Sequence, residues 1–198
     1  MSAPARRGLG SGRPPPQQVR IVGGTFKRSV LPVLDRPGLR PTPQRVRETL
    51  FNWLGQQLTG WSCLDAFAGT GALGFEAASR GAAAVVLLER DAALVQTLRA
   101  AQARLQAHAV TIERADAVTW MRHAASGRFD LVLLDPPFGD AGLFQAAIEA
   151  ATHLVKPDGL LYVESGEPLA HPPDSFELWR QDRAGAVCFH LLRRNSSG

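Results

Sequence analysis

Leu64-Asp-Ala-Phe-Ala-Gly-Thr-Gly-Ala-Leu-Gly74 decides how this chain folds, because it joins an apolar strand to a helix through a glycine loop. Gly69 and Gly71 permit a tight turn and close approach of a ligand to the backbone, and the helix start beyond them offers unpaired N–H groups. From Trp61 onward, strand and helix patterns alternate. Strands are expected near 61–66, 84–89, 109–114, 129–135 and 159–164, and helices near 72–80, 91–106, 117–125 and 141–154. Two last strands, near 175–182 and 186–193, leave no room for a helix between them. The pattern predicts an α/β fold: a mainly parallel seven-stranded sheet, helices on both faces and a terminal antiparallel hairpin.

Upstream, Val19 to Val22 and Ser29 to Leu34 read as short strands around a Gly23-Gly24 turn, a small N-terminal β-hairpin extension. A helix is expected from Pro43 to about Leu58, with Val46, Leu50 and Leu58 facing the core. Residues 1–18, rich in Pro, Gly, Arg and Gln, hold too little apolar surface to offset ordering entropy and are expected to be a disordered basic tail. The expected division is therefore tail 1–18, hairpin extension 19–42 and main domain 43–195.

At 198 residues the chain is long enough for one core. Cys63 and Cys188, the only cysteines, have no partner at metal-ligand spacing, so neither a metal site nor a disulfide framework is expected. No segment has the length to span a bilayer or the pattern of a signal peptide, and a cytoplasmic protein is expected. The net charge of +4 is unevenly spread. Residues 1–47 carry ten Lys or Arg against Asp35 alone, leaving 12 basic against 17 acidic residues for the remainder. Such a local concentration suits a polyanion, although a solvated tail has the same composition. The tail reading fits Arg6, Arg7 and Arg13. Nucleic acid is the preferred partner for Arg20, Lys27, Arg28, Arg40, Arg45 and Arg47.

Phe129 to Leu134 reads as a buried parallel strand, and Asp135-Pro-Pro-Phe138 ends it at the sheet edge where open α/β folds bind ligands. Pro136 and Pro137 stop the strand and fix the Pro136 carbonyl, with the flat face of Phe138 beside it. Two fixed acceptors next to a stacking ring suit a planar molecule with an exocyclic amine, such as a nucleobase. The same tetrapeptide also serves as an ordinary strand-ending turn.

The glycine loop tips the balance toward function but leaves two cofactors in play. It matches G-x-G-x-x-G at Gly69, Gly71 and Gly74, with Glu89 twenty residues on, as a dinucleotide site would. Asp65 favours S-adenosylmethionine: a carboxylate there repels a pyrophosphate but attracts the amine of a methionine moiety. Glu89 suits ribose hydroxyls in either cofactor, and Asp116 is placed to accept from an adenine amine. Each also has a structural alternative: Asp65 as a turn cap, Asp116 as a helix N-cap, Glu89 as a solvated strand end.

With these residues in hand, the chain resembles the class I (Rossmann-like) S-adenosylmethionine-dependent methyltransferases, and most closely the RsmD family. The likeness spans about 19–194. It rests on Val19-Arg-Ile-Val-Gly-Gly24, Gly38-Leu-Arg-Pro-Thr-Pro-Gln-Arg-Val-Arg-Glu-Thr-Leu-Phe-Asn-Trp-Leu54, the glycine loop, Asp135-Pro-Pro-Phe138 and Tyr162-Val-Glu-Ser165, in family order. The resemblance implies methyl transfer to the N2 amine of a guanine in bacterial 16S ribosomal RNA, within the small subunit or its assembly intermediate. S-adenosylhomocysteine would be the product, with no metal and a monomeric enzyme. Asp135, Pro136 and Phe138 would be catalytic. Asp65, Phe67, Gly69, Gly71, Glu89, Asp116 and Ala117 would bind the cofactor, and Arg40, Thr42, Arg45 and Arg47 the RNA. Arg45 and Arg47 have an alternative as ion-pair partners of Glu48 and neighbouring acids. Amino-methylation of adenine or cytosine in DNA and a non-catalytic RNA-binding assembly factor are the competing functions.

Overall fold

The computed structural model describes residues 18–36 and 41–195. The expected disordered tail, apart from Gln18, and the expected RNA contact Arg40 lie outside the described residues. Nine strands and five helices follow one another among those described. They are β1 (Gln18–Arg20), β2 (Val30–Pro32), α1 (Gln44–Trp53), β3 (Ser62–Asp65), α2 (Ala72–Ser79), β4 (Ala84–Glu89), α3 (Ala92–Leu105), β5 (Val110–Arg114), α4 (Ala117–His123), β6 (Phe129–Leu134), α5 (Ala141–Thr152), β7 (Val155–Ser165), β8 (Phe176–Ala184) and β9 (Val187–Arg194).

The main sheet has seven strands in the order β5-β4-β3-β6-β7-β9-β8, parallel except for the antiparallel β9 and β8. The architecture read from the sequence is thus the one observed. Chain direction across the sheet reverses between β3 and β6, which opens a ligand crevice at their carboxyl ends.

Side-chain alternation builds the core. Cys63, Val85, Leu87, Leu131, Leu133, Leu160 and Tyr162 point to one face, where they pack with α1, α2, α3 and the β1–β2 pair. Leu64, Val86, Leu88, Val132, Leu134, Leu161 and Val163 point to the other, under α4 and α5. Apolar residues on both faces are what a doubly covered parallel sheet requires. Cys63 is fully buried on the first face, and burial pushes its thiol up to about 12.

Three local readings need correction. The helix expected to reach Leu58 ends at Trp53, because Gly55 takes φ 85° and turns the chain left-handed. The strand expected at 159–164 begins earlier, at Val155, and pairs irregularly with β6 between Phe129 and Leu131. The N-terminal strands are shorter than expected, since Val22 and Gly23 give their N–H groups to the Glu76 carboxylate (2.9 and 2.8 Å) and not to a partner strand. Gly24 is no hairpin tip either. At φ 73° it presses against the end of α2, where a Cβ would meet Ser79 O at 1.8 Å.

Glu76 is fully buried on α2 and holds three segments together. Besides the two N–H groups, it pairs with Arg47 of α1 (3.2 Å) and Arg80 (2.8 Å), both also buried. Removing the carboxylate would leave two desolvated guanidinium groups without a counter-charge. Glu76→Ala is expected to lower unfolding free energy by about 3–5 kcal/mol in urea titration. A loss below about 1 kcal/mol would mean the two arginines find other partners.

Candidate active site

The carboxyl edge of the sheet carries an acid on one strand after another. Reading across from β5, these are Asp116, Glu89, Asp65, Asp135 and Glu164. The last four continue the alternation that sends Leu87, Cys63, Leu133 and Tyr162 to the α1/α2 face, so they open on the same side. Asp65 and Asp135 flank the reversal point, and Asp65 feels the charges of both Asp135 and Glu89.

The glycine loop is built around these acids. Gly71, at φ 77°, caps α2, and a Cβ there would lie 2.7 Å from both Leu98 and Phe75. Gly69 donates its N–H to Glu89 Oε2 (3.0 Å), whose other oxygen accepts from Asp91 N–H (2.8 Å). Gly74 brings α2 against β3, since its N–H meets Asp65 Oδ2 at 2.9 Å and an added Cβ would sit 2.1 Å from Leu87. Phe67 is partly buried in the same loop. Asp116 caps α4 through Thr119 N–H (2.9 Å), which lowers its pKa, and Ala117 is buried behind it. A depression of about 560 Å³ beside Asp116 is lined by Glu113, Thr119 and Trp120. Asp65 and Asp116 therefore make the backbone bonds of their structural alternatives, whereas Glu89 is partly buried and bound by two N–H groups, not a solvated strand end. A further cleft of about 810 Å³ lies at the far end of α2 around Gly24, Gln56 and Arg80 and holds none of the expected site residues.

At the end of β6, Asp135 is partly buried and Pro136 buried, while Phe138 is 45% exposed. Asp135 Oδ2 accepts from the Thr42 hydroxyl at 3.3 Å. Thr42 is set there from beneath, because Arg47 Nε donates to the Thr42 carbonyl (3.3 Å) while its guanidinium is anchored on Glu76 and the Arg20 carbonyl. Two of the expected RNA contacts are turned into the fold. Arg47 is 2% exposed and occupied by Glu76, and Thr42 is turned inward to Asp135. Arg45 is exposed on α1.

Sequence reading missed Glu164. It lies 2% exposed beside Asp135 and accepts from the buried Tyr162 hydroxyl at 2.9 Å. Its parity with Tyr162 on an apolar strand was the available signal. Burial pushes Asp65 up to about 7, opposed by the Gly74 N–H and reinforced by Asp135 and Glu89. Burial likewise raises Asp135 to about 7, opposed by Thr42. Glu164 is driven well above the ordinary value by burial and then by the Asp135 charge.

Among the described residues, no ion pair reaches Asp65, Asp135 or Glu164. A buried cluster of acids without its own cation opposes a pyrophosphate and fits a ligand bearing positive charge, such as the sulfonium and ammonium groups of S-adenosylmethionine, beside which a carboxyl group would more readily ionise.

Fold and edge geometry together define a class I methyltransferase. Residues 19–193 match the protein family described as Conserved hypothetical protein 95, and the chain belongs to it, the RsmD family. Ribosomal RNA small subunit methyltransferase D of Escherichia coli is 39% identical over 189 residues, covering 91% of this chain and 92% of the relative. The protein of the same name from Haemophilus influenzae is 38% identical, covering 89% and 94%. The solved structure of yhhF from Escherichia coli superposes with a TM-score of 0.79 at 40% identity, covering 91% of this chain and all of that one. No helix among the described residues is long and apolar enough to cross a membrane.

The raised acids set a pH dependence. Folded Asp65 and Asp135 hold their protons up to about 7, whereas the unfolded chain releases them near 3.8. Their contribution is present in acid and is lost as pH rises through that window. The melting temperature of the ligand-free protein should therefore carry a component that falls between about pH 4 and 7, and Asp135→Asn should flatten it. Parallel curves for the two proteins would show that Asp135 titrates normally.

Proposed function

We propose that this chain methylates the exocyclic N2 amine of a guanine in bacterial 16S ribosomal RNA, using S-adenosylmethionine and releasing S-adenosylhomocysteine without a metal. The observation that carries the reading is the edge of β6. There Asp135, a fixed Pro136 carbonyl and the exposed ring of Phe138 stand beside the Asp65 end of the glycine loop. The names of the relatives support ribosomal RNA of the small subunit as substrate class. The enzyme would act as a monomer in the cytoplasm, on the small subunit or its assembly intermediate. Residues 19–42 would serve as an extension over the site and 43–195 as the catalytic domain.

In this mechanism Asp65 and the Gly69–Gly71 turn hold the methionine end of the cofactor. Glu89 would accept from the ribose, and Asp116 and Ala117 would take the adenine, with Phe67 on the loop side. Bound there, the cofactor supplies an activated methyl group for direct displacement. A guanine amine is a weak nucleophile because its lone pair is delocalised into the ring. Asp135 and the Pro136 carbonyl, by accepting both N–H hydrogens, favour a pyramidal nitrogen whose lone pair faces the methyl group, so catalysis is largely orientation and electrostatics. Phe138 stacks on a base swung out of its neighbours' stack, offsetting part of the few kcal/mol that extrusion costs. Asp135, or water, would take the proton that the methylated nitrogen gives up.

Purified protein given labelled methyl donor and small subunits from cells lacking the enzyme should place label in N2-methylguanosine after digestion to nucleosides. Label in methyladenine or methylcytosine would defeat the assignment. Asp135→Ala should lower kcat by about 10²–10³-fold, the usual loss for a group stabilising a developing charge. Full activity in that variant would remove the carboxylate from the reaction.

The exposed Arg45 is proposed to meet phosphate, together with Arg40. Arg45→Glu should weaken RNA binding and make the slope of log K against log salt shallower by about one contact's worth. An unchanged slope would return Arg45 to a structural role on α1.

A further inference from the structure

Four cations, Arg20, Lys27, Arg28 and Arg104, gather around the turn between β1 and β2, and all are exposed. The first three belong to the extension itself, and Arg104 reaches it from the last turn of α3. Two of them are laid down on the backbone. Arg20 Nη1 donates to the Arg28 carbonyl at 3.2 Å, and Arg104 Nη2 donates to the Val30 carbonyl. Each anchored guanidinium spends one N–H on its carbonyl and keeps the others. Among the described residues none of these cations has an ion-pair partner. The pairs join Arg36 to Asp91, Arg47 and Arg80 to Glu76, Lys156 to Asp130 and Arg193 to Glu177. Glu48 shares a cleft with Lys27 but is bonded to Gln44 at 2.8 Å.

Arg28 adds a separate observation. Its φ of 71° lies in the left-handed region, which glycine adopts freely and other residues do not. Gly24, earlier in the same turn at φ 73°, meets that demand with a glycine. At position 28 the chain keeps a cationic side chain where glycine would fold more easily.

Resting on the reading of ribosomal RNA as substrate, we propose that this cluster is a phosphate-binding surface, which holds the RNA backbone next to the nucleotide that enters the crevice. Its position follows from Arg47. That buried guanidinium donates to the Arg20 carbonyl at 3.0 Å and to the Thr42 carbonyl at 3.3 Å, and Thr42 meets Asp135. The end of β1 therefore abuts the wall of the crevice. Beyond it the turn runs toward the far end of α2, where Thr25 N–H meets the Ser79 carbonyl at 2.7 Å. Arg20 begins the basic run beside the crevice, and Lys27, Arg28 and Arg104 carry it away. Cations strung along a turn match a chain of phosphates better than one small anion. Guanidinium groups meet phosphate oxygens with paired N–H donors, and anchoring them beforehand lowers the rotamer freedom lost on binding. Bound phosphates also relieve the mutual repulsion of neighbouring like charges. Such contacts fix the register of the strand and leave the choice of base to the crevice.

The test is binding of the full chain to small ribosomal subunits from cells lacking the enzyme, measured against salt. Arg20→Gln/Arg104→Gln should weaken binding at least about tenfold and make the slope of log K against log salt shallower by about two contacts' worth, with the same change on naked 16S ribosomal RNA. In methylation assays the loss should appear in KM and not in kcat, because none of these cations reaches the reacting atoms. Arg183→Gln, on the β8 strand at the far edge of the sheet, controls for net charge and should leave the slope unchanged. Arg28→Gly separates binding from folding. It should keep or raise the melting temperature while making the slope shallower by about one contact's worth. A slope unchanged in these variants, or changed equally by Arg183→Gln, overturns the proposal. A loss seen with subunits but not with naked RNA assigns the surface to a protein partner and overturns it as well. A wild-type protein that binds RNA through the cluster but transfers no methyl group would sink the methylation reading and leave the surface standing.

Discussion

The buried carboxylate of Glu76 is the constraint on which the site depends. It lies on α2, immediately after the glycine loop, and reaches α1 through Arg47 and the N-terminal segment through the N–H groups of Val22 and Gly23. Arg47 passes that restraint on to the Thr42 carbonyl, and Thr42 touches Asp135. One buried charge therefore links the helix after the glycine loop to the far side of the crevice. An apolar residue at position 76 would cost less desolvation, but it could not direct Arg47 at a particular carbonyl. Burial draws the Arg47 pKa down, with Glu76 opposing, and Arg80 completes the network with its guanidinium 4.7 Å above the Phe51 ring. The arrangement trades hydration for direction.

The acids at the sheet edge are treated in the opposite way. Asp130, at the start of the same β6 strand that ends in Asp135, has Lys156 at 2.8 Å and two bonds from Ser62. Among the described residues, Asp65, Asp135 and Glu164 have hydroxyl or backbone donors but no ion-pair partner. A protein that neutralises one acid on a strand and leaves the other end of that strand uncompensated has reserved the charge for something that binds. This asymmetry separates a cationic sulfonium nucleoside from a pyrophosphate-bearing dinucleotide, which the glycine spacing alone could not do.

Much of this was legible in the residues. The strand and helix alternation from Trp61 onward gave the sheet, and Leu64 to Gly74 placed the crevice, because period and glycine spacing are local properties of the chain. The alternation also held the face of each edge acid: Glu164 shares parity with Tyr162 and Leu160, so its inward direction was readable from a strand whose other residues are apolar. Glu76 sat in Ala72-Leu-Gly-Phe-Glu-Ala-Ala-Ser79, an apolar helix in which a lone acid signals a buried partner. What no local pattern carried was the identity of that partner. Arg47 is 29 positions away, and its neighbours Arg45 and Arg40 made a basic cluster look uniform. The early end of α1 was hidden for a different reason: Leu58 keeps the helical spacing and is fully buried, but it reaches the core after the Gly55 turn.

The positive charge of residues 1–47 consequently divides by function as well as by position. Arg47 is spent inside the fold, Arg36 pairs with Asp91, and Arg45 faces solvent. An exposed arginine on α1 stands close in sequence to the buried acids of the sheet edge, because Thr42, two residues ahead of the helix, touches Asp135. A polyanion brought near α1 meets attraction at the rim and repulsion at the floor. On the proposed function, phosphates would be held outside, and what could enter is the uncharged part of a nucleotide, its base, together with a cationic methyl donor from the other side. On that reading the sign change across this short distance would exclude the RNA backbone from the acids while still recruiting it.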